Sequence, residues 1–139
     1  LYVFDEHYEK GLLNDEIARV ITRKGYGKEI ITADSAEQKS IEEIRKSGIR
    51  RIKPARKGKD SVLNGIQYLN QYQIIVHPSC VNTLQELENY CWDKDKNTNE
   101  YINKPVDNYN HILDALRYAV EELSRGWKLK SISKSAFGL

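Results

Sequence analysis

The stretch "KEIITADSAEQKSIEEIRKSG", residues 28 to 48, reads as a short strand followed by a helix. Its opening is an apolar, β-branched run that ends in Asp34. Ser35 and Gln38 then have the spacing of a capping box, and Gly48 closes the helix that follows. An acid at the carboxyl end of a strand, with a helix starting directly after it, is the arrangement by which open α/β sheets present ligand-binding groups.

The same alternation extends in both directions. Upstream, "LYVFDE" (1 to 6) is aromatic and β-branched enough for a strand, and "NDEIARVITRKG" offers Asn14 as a cap, an apolar stripe at Ile17, Val20 and Ile21, and a stop at Gly25. Downstream come a strand around Arg51 to Lys53, a helix in "DSVLNGIQYLNQ", a buried strand "IIVH" (74 to 77) and a helix from Ser79 to Tyr90. Residues 92 to 108 are polar and turn-rich, an exposed loop or a loose hairpin. They lead to a last helix in "DNYNHILDALRYAVEEL" (107 to 123), which Asp107 can cap. This order predicts an α/β fold. The expected organisation is one domain over residues 1 to 126 and a basic tail over residues 127 to 139.

Composition narrows the class. The chain has 139 residues, 40% hydrophobic and 30% charged, ordinary for a globular protein with one core. It offers no long uncharged apolar run and no signal-peptide pattern, so an intracellular protein without a membrane span is expected. Cys80 and Cys91 fall in one predicted helix, roughly 16 Å apart, beyond the reach of a disulfide. Methionine is absent and the chain opens on a strand-like run, which leads to the expectation of a piece of a larger protein.

The last predicted helix holds an anomaly. His111 and Asp114 are i and i+3 neighbours, leaning over one surface patch, while Ile112, Leu113, Ala115, Leu116, Ala119, Val120 and Leu123 cover most of the rest. A carboxylate so placed must be hydrogen-bonded, paired or bound to metal. Pairing with Arg117 or His111 on its own helix is the plainer reading. The alternative uses Asp34 as well, because an acid at a strand end and an acid on a helix across that end can converge oxygen ligands on Mg²⁺ or Mn²⁺. For Asp34 alone, the plainer reading is a helix-capping or solvated acid.

Positive charge is concentrated. The net charge is only +2, yet Arg45, Lys46, Arg50, Arg51, Lys53, Arg56, Lys57 and Lys59 follow one another with no acid among them. A solvated face is the plain account of such a run; binding to a phosphate backbone is the functional one. Within it, "PARKGKDS" (54 to 61) is a basic, glycine-containing loop before a helix, able to offer both lysine charge and backbone N–H groups to phosphate. It lacks the G-x-x-x-x-G-K-[ST] spacing, so ATP binding is not expected. His7 and His77 have no comparable partners, and Tyr72, Tyr90, Trp92 and Tyr101 are expected to serve packing rather than stacking on bases.

Taken together, "LYVFDEHYEKG", "ITADSAEQKSIEEIRKSGI", "PARKGKDSVLNGIQYL", "IIVHPSCVNTLQELENY" and "PVDNYNHILDALRYAV" resemble, in that order, the nuclease domain of the large terminase subunit of tailed bacteriophages. The most specific piece is D-x-x-N-H-x-x-D-A-x-R-Y, formed by Asp107, Asn110, His111, Asp114, Ala115, Arg117 and Tyr118. The resemblance implies an RNase H-like mixed sheet flanked by helices, and cleavage of double-stranded concatemeric DNA by two-metal phosphodiester hydrolysis with Mg²⁺ or Mn²⁺. It further implies an upstream ATPase domain on the same polypeptide, with the portal and the small terminase subunit as partners in the cytoplasm of a host cell. Asp34 and Asp114 match the family's second and third catalytic carboxylates and metal ligands, and His111 a histidine beside them that can ligate, orient water or donate a proton. Arg50, Arg51, Lys53, Arg56, Lys57 and Lys59 are the expected DNA contacts.

The sequence departs from the family in one respect. The family's first catalytic aspartate lies on the first strand, whereas "LYVFDE" matches a later one, so that carboxylate is expected upstream of Leu1. Asp5 and Glu6 are poor substitutes. The strands without a match belong between "LYVFDE" and the strand ending at Asp34, which predicts a sheet incomplete at its amino-terminal side. A DNA-gripping module without catalysis and a resolvase- or transposase-type enzyme are the competing functions. The N-H-x-x-D-A-x-R-Y string favours the terminase.

Overall fold

In the computed structural model, which describes residues 1–126, five helices alternate with short strands. The order is β1 (Tyr2–Val3), α1 (Asn14–Arg23), β2 (Ile31–Ala33), α2 (Gln38–Lys46), β3 (Ile52–Pro54), α3 (Ser61–Leu69), β4 (Ile75–Val76), α4 (Val81–Asn89), β5 (Trp92–Lys94), β6 (Tyr101–Pro105) and α5 (His111–Gly126). The predicted alternation is present, with strands shorter than the apolar runs that suggested them. The basic tail expected at residues 127 to 139 lies outside the described residues.

The strands pair two by two. β2 and β3 run parallel with Ile31 opposite Ile52 and Ala33 opposite Pro54, and β1 and β4 run parallel with Tyr2 opposite Ile75. Residues 92 to 105 form an antiparallel hairpin of β5 and β6. The two parallel pairs are not joined to each other. Beside β1 opens a hollow of about 670 Å³, lined by Val3 and Phe4, by Ile17, Val20 and Ile21 of α1, and by Leu116 of α5. This matches the expectation of a sheet interrupted between the first strand and the strand that ends at Asp34.

The main core lies over the β2–β3 pair. Ala18 of α1, Ile41 and Ile44 of α2, Ile49 and Ile52 are buried together, with Ile17, Ile21, Ile31 and Ala33 against them. A helix-strand unit whose apolar residues recur on one face buries that face only by lying on the sheet, so α1 and α2 cover the same side. The last helix is less enclosed than its composition suggested. Leu113, Arg117 and Val120 are buried, whereas Ala115, Ala119 and Leu123 are exposed.

Several local expectations change once the elements dock. Asn14 does not cap α1; its side-chain amide donates to Glu43 of α2 at 2.6 Å, and the amide of Leu13 donates to Glu16 instead. Ser35 does not cap α2, which starts at Gln38; Asp34 itself accepts from the Ala36 amide at 2.9 Å. Cys80 and Cys91 flank α4 rather than sharing its interior, one buried and one exposed, and both are free thiols. Of the aromatics expected to pack, Tyr72, Trp92 and Tyr101 remain 43%, 40% and 67% exposed, yet Tyr72 rests on Tyr68 with ring centroids 5.2 Å apart and the Lys94 ammonium lies 4.7 Å over the Tyr101 ring.

Candidate metal centre

Asp34 follows the last residue of β2, so its side chain stands at the carboxyl end of the parallel pair. The loop after β3 leaves the same end, because the two strands are parallel and in register. That loop brings Lys57 to Asp34, with Nζ 2.7 Å from Oδ1. The Lys57 ammonium, the Ala36 amide and the Tyr118 hydroxyl hold the Asp34 carboxyl below its ordinary value, against the opposing effect of burial. Asp34 closes a turn through the Ala36 amide, and it also forms an ion pair with Lys57 that the sequence did not suggest.

Helix α5 supplies the rest. Asp114 and Tyr118 are one turn apart on its surface. The Lys57 ammonium is pushed up chiefly by Asp34, and Asp114 adds to the effect. The Tyr118 hydroxyl is pushed up by burial first, then by the charges of Asp114 and Asp34. Lys57 and Tyr118 line one cleft beside Asp34, and Tyr118 is one helical turn from Asp114. Asp114 also pairs with Arg117 of its own helix, at 2.5 Å, as the plainer reading expected.

His111 belongs to a different neighbourhood. It is exposed, its ring centroid 6.3 Å from that of Tyr8, and it borders a hollow of about 420 Å³ with Asn82, Glu86 and Tyr109. Among the described residues no three His, Cys, Asp or Glu side chains stand close enough to hold a metal ion together. The donor chemistry nevertheless suits a hard cation. Asp34 and Asp114 offer carboxylate oxygens, the ligand type that Mg²⁺ and Mn²⁺ take. Asp5 and Glu6 are engaged elsewhere: Asp5 pairs with Lys24 at 2.6 Å, and Glu6 accepts from the Asn82 and Thr83 amides at 3.0 and 2.9 Å.

The predicted DNA contacts divide along β3. Arg56, Lys57 and Lys59 line a cleft of about 420 Å³ together with Tyr68, Arg117 and Tyr118, beside Asp34. Arg50 and Arg51 precede β3, at the other end of a strand roughly 10 Å long, and Arg51 donates to the Lys28 carbonyl at 3.1 Å. Lys53 sits within β3, half-buried, paired in register with Thr32. Sequence reasoning passed over Lys57 as the partner of Asp34, although Tyr118, four residues after Asp114, was readable as a neighbour from helical spacing.

A parallel strand pair with Asp34 at its carboxyl end, and helix α5 bearing Asp114 packed against β2, define an α/β fold. The chain belongs to the Terminase RNAseH like domain family, whose pattern it matches over residues 1–122. It is 35% identical over 124 residues to the large terminase subunit of Bacillus phage SPP1, and 32% identical over 127 residues to the PBSX phage terminase large subunit of Bacillus subtilis (strain 168). Those matches take in 87% and 88% of this chain but only 29% and 28% of the relatives, so the chain spans under a third of their length. The crystal structure of the g2p (large terminase) nuclease domain from bacteriophage SPP1 with bound Mn is similar at a TM-score of 0.81 and 35% identity, over 87% of this chain and 70% of that one. The fold is RNase H-like.

Proposed function

We propose that this chain is the metal-dependent endonuclease domain of a phage DNA-packaging motor, cutting double-stranded concatemeric DNA. The observation that carries the reading is the meeting, at the carboxyl end of the β2–β3 pair, of Asp34 with Lys57 2.7 Å away and of the basic cleft that Lys57 shares with Arg117 and Tyr118 of α5, the helix that bears Asp114. Asp34 and Asp114 would hold Mg²⁺ or Mn²⁺ there, and the cation would supply an activated water and charge neutralisation for an in-line phosphodiester hydrolysis. The Mn bound to the SPP1 nuclease domain supports that choice of cation.

The chain's own residues divide the work. Asp34 and Asp114 offer the oxygen ligands. His111, three residues before Asp114 but turned toward Tyr8, would have to swing toward that acid to serve as ligand, water-orienting group or proton donor. Arg56, Lys57 and Lys59 meet the phosphate backbone in the adjoining cleft, while Arg50, Arg51 and Lys53 extend the positive surface along β3. A further carboxylate comes from the polypeptide upstream of Leu1, and the hollow beside β1 supports this by leaving room for the strand that would bring it. The large terminase subunits to which the chain is similar are more than three times as long as the stretch it matches, which supports further polypeptide beyond this domain; an upstream ATPase domain, with portal and small terminase subunit as partners in the host cytoplasm, completes the proposal. No helix among the described residues is long and apolar enough to cross a membrane.

The test uses the polypeptide extended upstream of Leu1 and a supercoiled plasmid. Mn²⁺ or Mg²⁺ should support nicking, and Asp114→Asn should abolish it with the circular dichroism spectrum unchanged. Undiminished cleavage by that variant overturns the assignment. A second reading, a DNA-gripping module without catalysis, draws support from the Lys57–Asp34 pair, which already neutralises one carboxylate. Under it, duplex binding persists while no divalent metal supports cleavage.

A further inference from the structure

Arg117 is the most enclosed cation of the described chain, 8% exposed on the inner face of α5. Its Nε and Nη2 both donate to one oxygen of Asp114, Oδ1, at 3.2 and 2.5 Å. Among the described residues, Oδ2 of Asp114 receives no such bond, and the Asp114 side chain keeps 31% of its surface open. A guanidinium presents its donors in a rigid planar fork, so two of them on a single oxygen fix where that oxygen stands and leave the other oxygen unengaged.

The fork is held from behind. Gly65, in the middle of α3, lies where a Cβ would stand 2.9 Å from Cδ of Arg117, 3.2 Å from its Cγ and 3.4 Å from its Cβ. The missing side chain is the space that the arginine stem fills. Glycine inside a helix costs about 1 kcal/mol relative to alanine, so its presence here opposes the local preference of α3. A buried Arg–Asp pair also gains little stability for its desolvation. Both features weigh toward a role in orientation.

We infer that Arg117, seated in the notch at Gly65, is a positioning residue that ties down Oδ1 of Asp114 and leaves Oδ2 for the divalent cation. This rests on the reading of Asp114 as a metal ligand. Residues that orient a metal ligand from outside the coordination sphere are worth about 10- to 100-fold in metal affinity.

The experiment measures Mn²⁺ binding by electron paramagnetic resonance in the polypeptide extended upstream of Leu1, with thermal unfolding of each variant in parallel. Gly65→Ala should shift the melting temperature little, because overpacking against the arginine stem offsets the gain in helix propensity, yet weaken Mn²⁺ binding about 10-fold or more by displacing that stem. Arg117→Lys, which keeps the charge and loses the fork, should weaken it in the same way. Arg117→Met separates charge from geometry: tighter Mn²⁺ binding would show a competing cation rather than a positioning one, and overturns the inference. Unchanged Mn²⁺ affinity in Gly65→Ala and Arg117→Lys, with Asp114→Asn deficient, overturns it while sparing the metal-ligand reading. Normal Mn²⁺ binding by Asp114→Asn removes that reading and this inference with it. Loss of helical structure in both Gly65→Ala and Arg117→Lys would make the pair structural, which also overturns it.

Discussion

The carboxylate of Glu86 accepts a hydrogen bond from the amide of Ile112 at 2.8 Å and a second from Leu113 at 3.1 Å. Helix α5 is thus capped from α4, by a side chain that is 4% exposed, and Asp107 is left to a contact with Asn110 at 3.4 Å. Glu86→Ala should leave two amides without partners inside the protein, at about 1–3 kcal/mol for each unsatisfied group. The melting temperature should fall by several degrees, with Glu86→Gln intermediate because it retains an acceptor. Equal melting temperatures for wild type and the alanine variant would remove the cap from the account.

Glu6 does for α4 what Glu86 does for α5. Burial alone would raise its pKa, but four hydrogen bonds from Thr83 and Asn82 outweigh it and hold the carboxyl below its usual 4.5. A group whose pKa is depressed by folding stabilises the protein above its unfolded value and loses that contribution as the pH falls through its folded value. Acidification from about pH 5 should therefore destabilise wild type more steeply than Glu6→Gln. Parallel acid limbs in urea denaturation would show that Glu6 is not a principal source of acid sensitivity.

Salt dependence should separate the two ends of β3. Alanine at Arg56, Lys57 and Lys59 should reduce the slope of log affinity against log salt by up to about 3, at about 0.9 per lost phosphate contact on duplex DNA. The loss should be similar on unrelated sequences, since such contacts position the duplex without reading it. Alanine at Arg50 and Arg51, which precede the strand, should change the slope less. If the triple variant gave a slope equal to that of wild type, its cleft would not lie on the DNA path.

Thiol reactivity should be unequal. Cys80 is fully buried and Cys91 is exposed. In native protein one thiol should react rapidly with a water-soluble disulfide reagent, and the other only after denaturant is added, since reactivity requires access to the thiolate. Cys91→Ser should abolish the fast phase; its survival would place the reactive thiol at Cys80.

Much of the α/β order was legible in the sequence because strand runs, helix stripes and the stops at Gly25 and Gly48 are short-range features, set within a few residues. Both of those glycines take positive φ, as a helix end requires. The acid at the end of β2 was legible for the same reason, as was the i, i+3 spacing of His111 and Asp114. Capping partners were not. Asn14, Ser35 and Asp107 all have the right chemistry beside a helix start, but docking gave Asn14 to Glu43 and gave α5 to Glu86, because a buried amide takes whichever acceptor packing brings within 3 Å or so. The basic run looked continuous along the chain; the parallel pairing of β2 and β3 divided it, sending Lys57 to Asp34 and leaving Arg50 and Arg51 at the other end. The sequence alone thus determined which residues carry charge and which segments are strand or helix, since both follow from local composition and period. Only the tertiary structure decided that Lys57 would meet Asp34 beside Tyr118, that His111 would face Tyr8, and that Arg117 would rest on Gly65, because contacts between elements depend on how their faces dock.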